Sequence, residues 1–74
     1  MINRREFERY LFNHYGCILL HGIDVRLCRV VNGVQYTASF GGHQHKEVQR
    51  GAARRFLQDL GFAPNECDEI MQHF

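Results

Sequence analysis

The sequence predicts an α+β fold in the order α-β-β-β-α-α, with a three-stranded antiparallel sheet that carries its helices on one face. Two helical patterns of apolar residues flank a strong β-hairpin signal, Asn32-Gly33. The 74 residues are enough for one small hydrophobic core and too few for two. We therefore expect a single domain over residues 1–74, with a core unit over 1–61 and a short acidic helix within 62–74.

The first predicted helix covers about residues 4–15. Asn3 is a preferred N-cap residue, and Glu6 three positions later supplies the reciprocal partner of a capping pair. Apolar side chains then recur at helical spacing until Gly16, which accepts the left-handed backbone conformation that ends many helices. The sequence therefore predicts both ends of this helix.

Three strands are predicted next. Residues 17–21 form a short apolar run bounded by glycines, which is typical of a buried strand. Residues 24–31 and 34–40 flank Asn32-Gly33, a dipeptide suited to a type I′ turn because both central residues need positive φ. The two-residue turn sets the register, and the pairs expected on the core face are Val31 with Val34, Arg29 with Tyr36, Leu27 with Ala38 and Val25 with Phe40.

The other face of this hairpin is predicted to be a mixed polar surface that carries one arginine. Its cross-strand pairs are Arg26 with Ser39, Cys28 with Thr37 and Val30 with Gln35.

Two further helices follow the sheet. The second is predicted from about His45 to Leu60, where Gly61 ends it, and Asn65 is expected to cap a short third helix. The buried stripe expected on the second helix is Val48, Ala52, Phe56 and Leu60. The apolar face of the third helix is Cys67, Ile70, Met71 and Phe74, and it serves either the core or a homodimer interface.

Charge is distributed unevenly along the chain. Residues 1–58 hold all nine basic side chains and four acidic ones, a net charge of +5, whereas residues 59–74 carry −4. Eight of the nine basic residues are arginine, which suits bidentate contact with phosphate or carboxylate. A basic body with an acidic tail favours a nucleic acid or an acidic protein surface as the partner.

The most suggestive cluster is a predicted cationic ridge on the second helix. Its members are Lys46, Arg50 and Arg54, with Arg55 beside them and His43 and His45 at the helix start. A row of arginines can follow a phosphate backbone, and a helix start favours an anion. The alternative is that these charges form an ordinary solvated helix face.

Histidines provide the only candidates for catalysis. His21 lies near Asp24 in the sequence, and a histidine–carboxylate pair can act as general acid and base in phosphodiester cleavage. His43 is a second candidate. His43 and His45 have a spacing that could place two metal ligands together, but four ligands are needed, and we expect neither a metal nor a cofactor.

The chain has the composition of a cytoplasmic protein without a membrane partner. No apolar run approaches the roughly 18 residues of a membrane span. The three cysteines are odd in number and lack the spacing of a metal knuckle, which indicates reduced thiols.

The predicted order of elements over residues 1–61 resembles the double-stranded RNA-binding domain, and residues 45–53 resemble the start of that family's second helix. In that family, lysines at this helix start grip phosphates across the RNA groove. The resemblance places Lys46 at one such position, with His45 and Gln49 at others.

The chain also resembles the HicA toxins, small proteins of this fold that bind and cut messenger RNA and are neutralised by an antitoxin. The resemblance covers about residues 5–70 and implies that Arg26 occupies the position of the family's catalytic histidine, with His21 as the nearest substitute. It therefore implies a retained binding scaffold whose ribonuclease activity is lost or relocated. The matching motifs are Gly16, Asn32-Gly33, His43, residues 46–51, Phe56-Leu57 and Gly61-Phe62.

These observations predict a HicA-like RNA-binding module, related to toxin–antitoxin systems and catalytically degenerate. Arg26, Lys46, Arg50 and Arg54 are the main expected contacts. An inhibitor resembling phage anti-CRISPR proteins, which would bind a nucleic-acid-processing defence complex, is the alternative. An active ribonuclease that uses His21 or His43 is a third hypothesis.

Overall fold

The computed structural model describes residues 1–20, 26–40 and 46–74. Within these residues the protein has the predicted α+β fold, with a three-stranded antiparallel sheet and three helices in the expected order. The helices are α1 (Arg4–Tyr15), α2 (Arg50–Asp59) and α3 (Pro64–Met71). The strands are β1 (Ile2–Asn3), β2 (Ile18–Leu20), β3 (Arg26–Val31), β4 (Val34–Ala38) and β5 (Glu47–Val48).

Both predicted ends of α1 are confirmed. The Asn3 side-chain oxygen accepts a hydrogen bond from the Glu6 backbone N–H at 3.0 Å, which satisfies one of the free donors of the first turn. Gly16 adopts φ 68°, and the backbone N–H of Cys17 donates to the Leu11 carbonyl at 3.3 Å. These local signals set the two ends of the helix, and the buried Phe7 and Leu11 hold it against the core.

The predicted hairpin is also confirmed, with its register. Asn32 and Gly33 have φ values of 51° and 81°, as a type I′ turn requires. The pairs on the core face form as predicted where both partners are described, and Leu27 and Ala38 are buried there. The expected pair of Val25 with Phe40 includes a residue outside the described ranges.

The prediction that the first strand is buried is wrong. β2 pairs with β3 at the edge of the β2-β3-β4 sheet, and all three of its side chains are exposed, with Ile18 at 56%. Burial stops at Cys17, the residue before the strand. A short apolar run has the same sequence pattern whether the strand is central or at an edge, so the pattern could not separate the two.

A second, two-stranded sheet was not predicted. β1 pairs with β5 in antiparallel orientation, Ile2 opposite Val48 and Asn3 opposite Glu47. Both Ile2 and Val48 are buried against the core. Two-residue strands carry too little periodicity to be recognised in a sequence.

This pairing corrects the predicted start of α2, which is Arg50 and not His45. Residues 47 and 48 are extended because they hydrogen-bond to β1, so Val48 contributes to the core from a strand. The buried stripe of α2 also differs, because Ala53 is buried and Ala52 is exposed. The buried side chains of α2 and the residue after it are Ala53, Phe56, Leu57 and Leu60.

The start of α3 also differs from the prediction. Pro64 is the first helical residue, where its missing N–H costs nothing, and Ala63 occupies the N-cap position in place of the expected Asn65. The Glu66 carboxylate accepts a hydrogen bond from the Ala63 backbone N–H at 2.9 Å. Cys67, Ile70 and Met71 are buried and Phe74 packs against the same cluster, so this face serves the core.

One hydrophobic cluster joins all three helices to the sheet. It includes Ile2 at one end of the chain and Met71 at the other. Among the described residues the longest helix has 12 residues and rises about 18 Å, which is too short to cross a bilayer.

Gly61, which follows α2, should tolerate alanine less well than Gly16. Both glycines have positive φ, so alanine is expected to cost about 1 kcal/mol of backbone strain at either position. A Cβ on Gly61 would also lie 2.9 Å from the Tyr36 ring, whereas a Cβ on Gly16 meets no described atom within 4 Å. Thermal denaturation should therefore show Gly61→Ala to be about 1–3 kcal/mol less stable than Gly16→Ala. Equal losses would contradict the close packing of Tyr36.

Candidate nucleic-acid interface

The start of α1 lies beside Lys46 because β1 and β5 pair in antiparallel orientation immediately before it. The backbone N–H of Arg4 donates to the Lys46 carbonyl at 2.9 Å, which continues the β1–β5 ladder by one bond. Lys46 is thus fixed beside the first turn of α1. Sequence spacing could not place these two segments together, because they are more than 40 positions apart.

A basic groove, defined here by Asn3, Arg4, Arg5 and Lys46, occupies this junction. Its volume is about 390 Å³. Arg5 and Lys46 are exposed, and neither forms an ion pair with a described residue. Arg4 donates to both carboxylate oxygens of Glu8 at 3.1 Å, so its charge is partly balanced. The groove therefore has an excess of positive charge open to solvent.

The start of α2, at the other end of the β1–β5 pair, has free hydrogen-bond donors. Gln49 occupies the N-cap position, but its side chain does not cap the helix, and the first turn has no acidic residue. The Ala53 backbone N–H donates to the Gln49 carbonyl as the helix begins. The N–H groups at the start of an uncapped helix carry partial positive charge that favours an anion.

The predicted cationic ridge does not exist as a row on one helix. Lys46 precedes α2, and the two arginines that follow contact α3. Arg50 donates from Nη2 to the Met71 carbonyl at 3.0 Å, and Arg54 pairs with Asp68 at 2.6 Å. The acidic tail thus neutralises part of the basic body within the same molecule. The role of Arg50 and Arg54 in RNA binding stays a prediction.

The remaining predicted residues are separated from the basic groove or lie outside the described ranges. Arg55 is exposed on α2 and Arg26 is exposed on β3, opposite Leu20 of β2. His21, His43 and His45 fall outside the described residues, so both catalytic hypotheses and the histidine spacing stay predictions.

Neither metal chemistry nor thiol chemistry is supported where side chains are described. No group of three potential ligands among histidine, cysteine and acidic residues comes together in residues 1–20, 26–40 and 46–74. All three cysteines are free and buried. Burial raises the pKa of the Cys67 thiol and of the Cys17 thiol, although the nearby Arg29 charge opposes the shift at Cys17. Both thiols are therefore protonated and weakly nucleophilic at neutral pH.

Sequence reasoning missed an aromatic groove where the end of the chain meets α1. It has a volume of about 310 Å³ and is lined by residues of α1 and by the two residues that end the described chain: Glu6, Arg9, Tyr10, Asn13, His14, His73 and Phe74. The Tyr10 ring lies 4.2 Å from the His14 ring and 4.8 Å from the His73 ring between centroids. The spacing of Tyr10 and His14 was visible in the sequence, but the position of His73 depends on how α3 packs against α1.

The open face of the sheet is more apolar than predicted. Ile18 of β2 lies beside Cys28 of β3, and Val30 is 63% exposed on the same face. Leu20 is exposed next to Arg26. The face therefore has aliphatic side chains bordered by one arginine.

Comparisons with known proteins leave the family open. A scan against models of protein families finds no match to the chain, and searches of curated proteins and of solved structures find no significant match either. The resemblances to the double-stranded RNA-binding domain and to the HicA toxins therefore stay predictions from the sequence motifs.

Proposed function

We propose that this protein binds RNA through the basic groove, as a HicA-like module that lacks efficient ribonuclease activity. The observation that supports the proposal most directly is the grouping of Arg4, Arg5 and Lys46 at the start of α1. Phosphates are the ligands expected for such a site, because each contact releases condensed counterions from the nucleic acid.

Two features favour the binding of phosphates. Arg5 and Lys46 are exposed side chains without an ion-pair partner among the described residues, so binding a phosphate breaks no existing salt bridge. The start of α2, at the other end of the β1–β5 pair, has no side-chain cap and leaves backbone donors for an anion. The resemblance to the double-stranded RNA-binding domain implies phosphate contacts at this same helix start.

The proposed loss of cleavage follows from the sequence resemblance, which puts Arg26 at the position of the family's catalytic histidine. An arginine is too basic to accept a proton at neutral pH and cannot replace a general base. We place the protein in the cytoplasm, where messenger RNA is present and its three free thiols stay reduced.

Removing the two exposed charges of the basic groove should weaken RNA binding. We expect the double variant Arg5→Ala with Lys46→Ala to bind labelled RNA roughly tenfold less tightly in low salt, with a less steep dependence of affinity on salt. Fluorescence anisotropy at two salt concentrations measures both quantities. Gels run on the same samples should show no cut RNA.

A matched control separates a local contact from a change in net charge. The exposed Gln58 and Gln72 can both be replaced by glutamate, which also lowers the net charge by two. This control should lose much less affinity than the groove variant. If the two variants bind equally, or if the wild-type protein binds RNA equally well at both salt concentrations, phosphate binding at the groove is wrong.

The open sheet face favours one other function, inhibition of a nucleic-acid-processing complex by protein contact. The exposed Ile18, Leu20 and Val30 form an aliphatic surface of a kind often found in protein interfaces. This function predicts a stable complex with a defence effector that is lost in Val30→Asp, together with no affinity for free RNA. Salt-sensitive RNA binding by the isolated protein would instead support the first proposal.

A further inference from the structure

The geometry points to a second subsite for RNA, in which the aromatic groove stacks an unpaired base next to the phosphates held by the basic groove. We propose that the protein prefers single-stranded RNA for this reason. The inference depends on the proposed function, because the aromatic groove alone does not select a nucleic acid.

Two adjacent stripes on α1 connect the grooves. Arg5, Arg9 and Asn13 recur every four residues, so they lie along one line of the helix surface. Arg5 belongs to the basic groove, and Arg9 lines the aromatic groove. Four residues correspond to a rise of about 6 Å, so the two arginines provide successive positive charges along the helix. A nucleic-acid strand lying along this line would reach both grooves.

The second stripe provides the stacking surface. Glu6, Tyr10 and His14 recur at the same spacing one position further round the helix. The Tyr10 and His14 rings are inclined by only 31°, and the His73 ring is inclined to Tyr10 by 38°. Both imidazoles belong to exposed residues. A planar base placed against either of them would extend an existing group of closely spaced rings.

The rings of the aromatic groove are supported by the hydrophobic core. Tyr10 also meets Phe74 edge to face at 5.4 Å, and Phe74 packs on the fully buried Phe7 at 5.3 Å. The groove is therefore built on the hydrophobic core and loses little conformational entropy when a ligand binds.

The polar groups of the aromatic groove suit a base better than an apolar peptide side chain. The Asn13 amide can both donate and accept, and the Glu6 carboxylate can accept from an exocyclic amino group. Base edges present such groups, but in a duplex they are paired and the base faces are stacked on each other. Single strands leave both the edges and the faces open to protein side chains.

The test compares three RNA probes of equal length: a single-stranded oligoadenylate, its duplex with oligouridylate, and a strand of the same backbone without bases. The variants are the double substitution His14→Ala with His73→Ala and its ring-retaining counterpart, His14→Phe with His73→Phe. Anisotropy gives affinities, and a 2-aminopurine in the adenine strand reports stacking by its fluorescence. Circular dichroism melting checks that each variant folds.

We expect the wild-type protein to bind the oligoadenylate more tightly than the duplex or the baseless strand. The alanine variant should lose about fivefold to 150-fold in affinity for oligoadenylate, the range expected for one stacked base, and keep its affinity for the baseless strand. The phenylalanine variant should recover most of the loss and quench 2-aminopurine, because stacking requires a ring and not a charge.

The failures of the two proposals are distinguishable. Equal binding of the single strand and the baseless strand, or no effect of the alanine variant, would overturn the stacking subsite while leaving phosphate binding intact. An equal loss of RNA affinity in the alanine and the phenylalanine variants would also overturn it. The charge of the histidines, and not their rings, would then be what binds the RNA. Binding to none of the three probes would overturn the proposed function and the subsite together.

Discussion

Replacing Phe7 by alanine is expected to lower the free energy of unfolding by about 3–5 kcal/mol, the largest effect of any single change considered for this protein. Phe7 is 0% exposed and lies at the centre of an aromatic cluster. Its ring is 6.1 Å from Phe40, 6.0 Å from Phe56 and 5.3 Å from Phe74 between centroids. Alanine removes the transfer energy of the ring and leaves a cavity beside α2 and the residues that follow β4 and α3.

A domain of this length has a total stability of about 4–11 kcal/mol, so such a loss approaches or exceeds the margin. Urea denaturation followed by circular dichroism measures it, with a melting scan where the baseline of the variant is too short. We expect the alanine variant to be largely unfolded or to melt far below the wild-type protein.

Phe12 on the same helix provides the matched control. It is 60% exposed, so Phe12→Ala removes the same ring from α1 while opening no cavity. Its effect should stay within about 1 kcal/mol. Similar losses for Phe7→Ala and Phe12→Ala would mean that burial does not distinguish the two rings, because alanine raises the helix propensity at both positions. The position assigned to Phe7 would then be wrong.

The contrast between these two phenylalanines shows what the sequence can predict. The period of α1 places Phe7 on the buried face, and the capping residues Asn3 and Gly16 place both ends of the helix. Such signals are local, because each depends on residues within one or two turns. The Asn32-Gly33 turn is equally local, and it fixed the hairpin register correctly.

Apart from the N-cap of α3, the wrong predictions involve contacts between distant segments. α2 starts five residues late because residues 47 and 48 pair with β1, a partner that helical periodicity does not include. β2 is exposed because the sheet ends with it, and an apolar run is the same in a central strand and an edge strand. The contact of Phe74 with Phe7 also joins distant segments, although the place of Phe74 on the apolar face of the third helix was predicted.

The candidate site also depends on contacts between segments that are distant in the sequence. Lys46 was identified from the sequence as a phosphate contact, but its neighbours in the basic groove come from α1, which the sequence did not connect to it. The sequence also showed the unequal charge of residues 1–58 and residues 59–74. Its consequence, that Asp68 neutralises Arg54 inside the molecule, required the packing of α3 on α2.

Arg29→Ala is expected to destabilise the protein by about 2–3 kcal/mol, although sequence reasoning assigned this arginine only a place opposite Tyr36. The guanidinium lies 3.8 Å from the centre of the Phe62 ring and donates from Nη1 to the Leu60 carbonyl at 3.1 Å. Its Nη2 is 4.0 Å from the Glu66 carboxylate. Arg29 thus joins β3 to the end of α2 and to the first turn of α3.

The hydrogen bond to Leu60 accounts for most of the expected loss. A charged donor on a carbonyl contributes about 1.5–3 kcal/mol, and a partly desolvated cation over a ring about 1–2 kcal/mol, less the entropy of holding a long side chain. The pair with Glu66 adds little, because it is long and partly exposed. Urea denaturation gives the free energy, and Arg55→Ala on the exposed side of α2 is the control, with an expected change below about 0.5 kcal/mol.

The variant Arg29→Lys tests whether the positive charge of Arg29 stabilises the protein without the planar guanidinium. An ammonium keeps the positive charge but cannot lie flat on Phe62 while donating to Leu60, so Arg29→Lys should recover less than half of the loss. A double-mutant cycle of Arg29→Ala with Phe62→Leu should give a coupling energy of about 0.5–2 kcal/mol. Full recovery by lysine together with zero coupling would show that the arginine acts only as a charge. The contacts of the guanidinium with Phe62 and Leu60 would then contribute nothing to the packing of the sheet against α2 and α3.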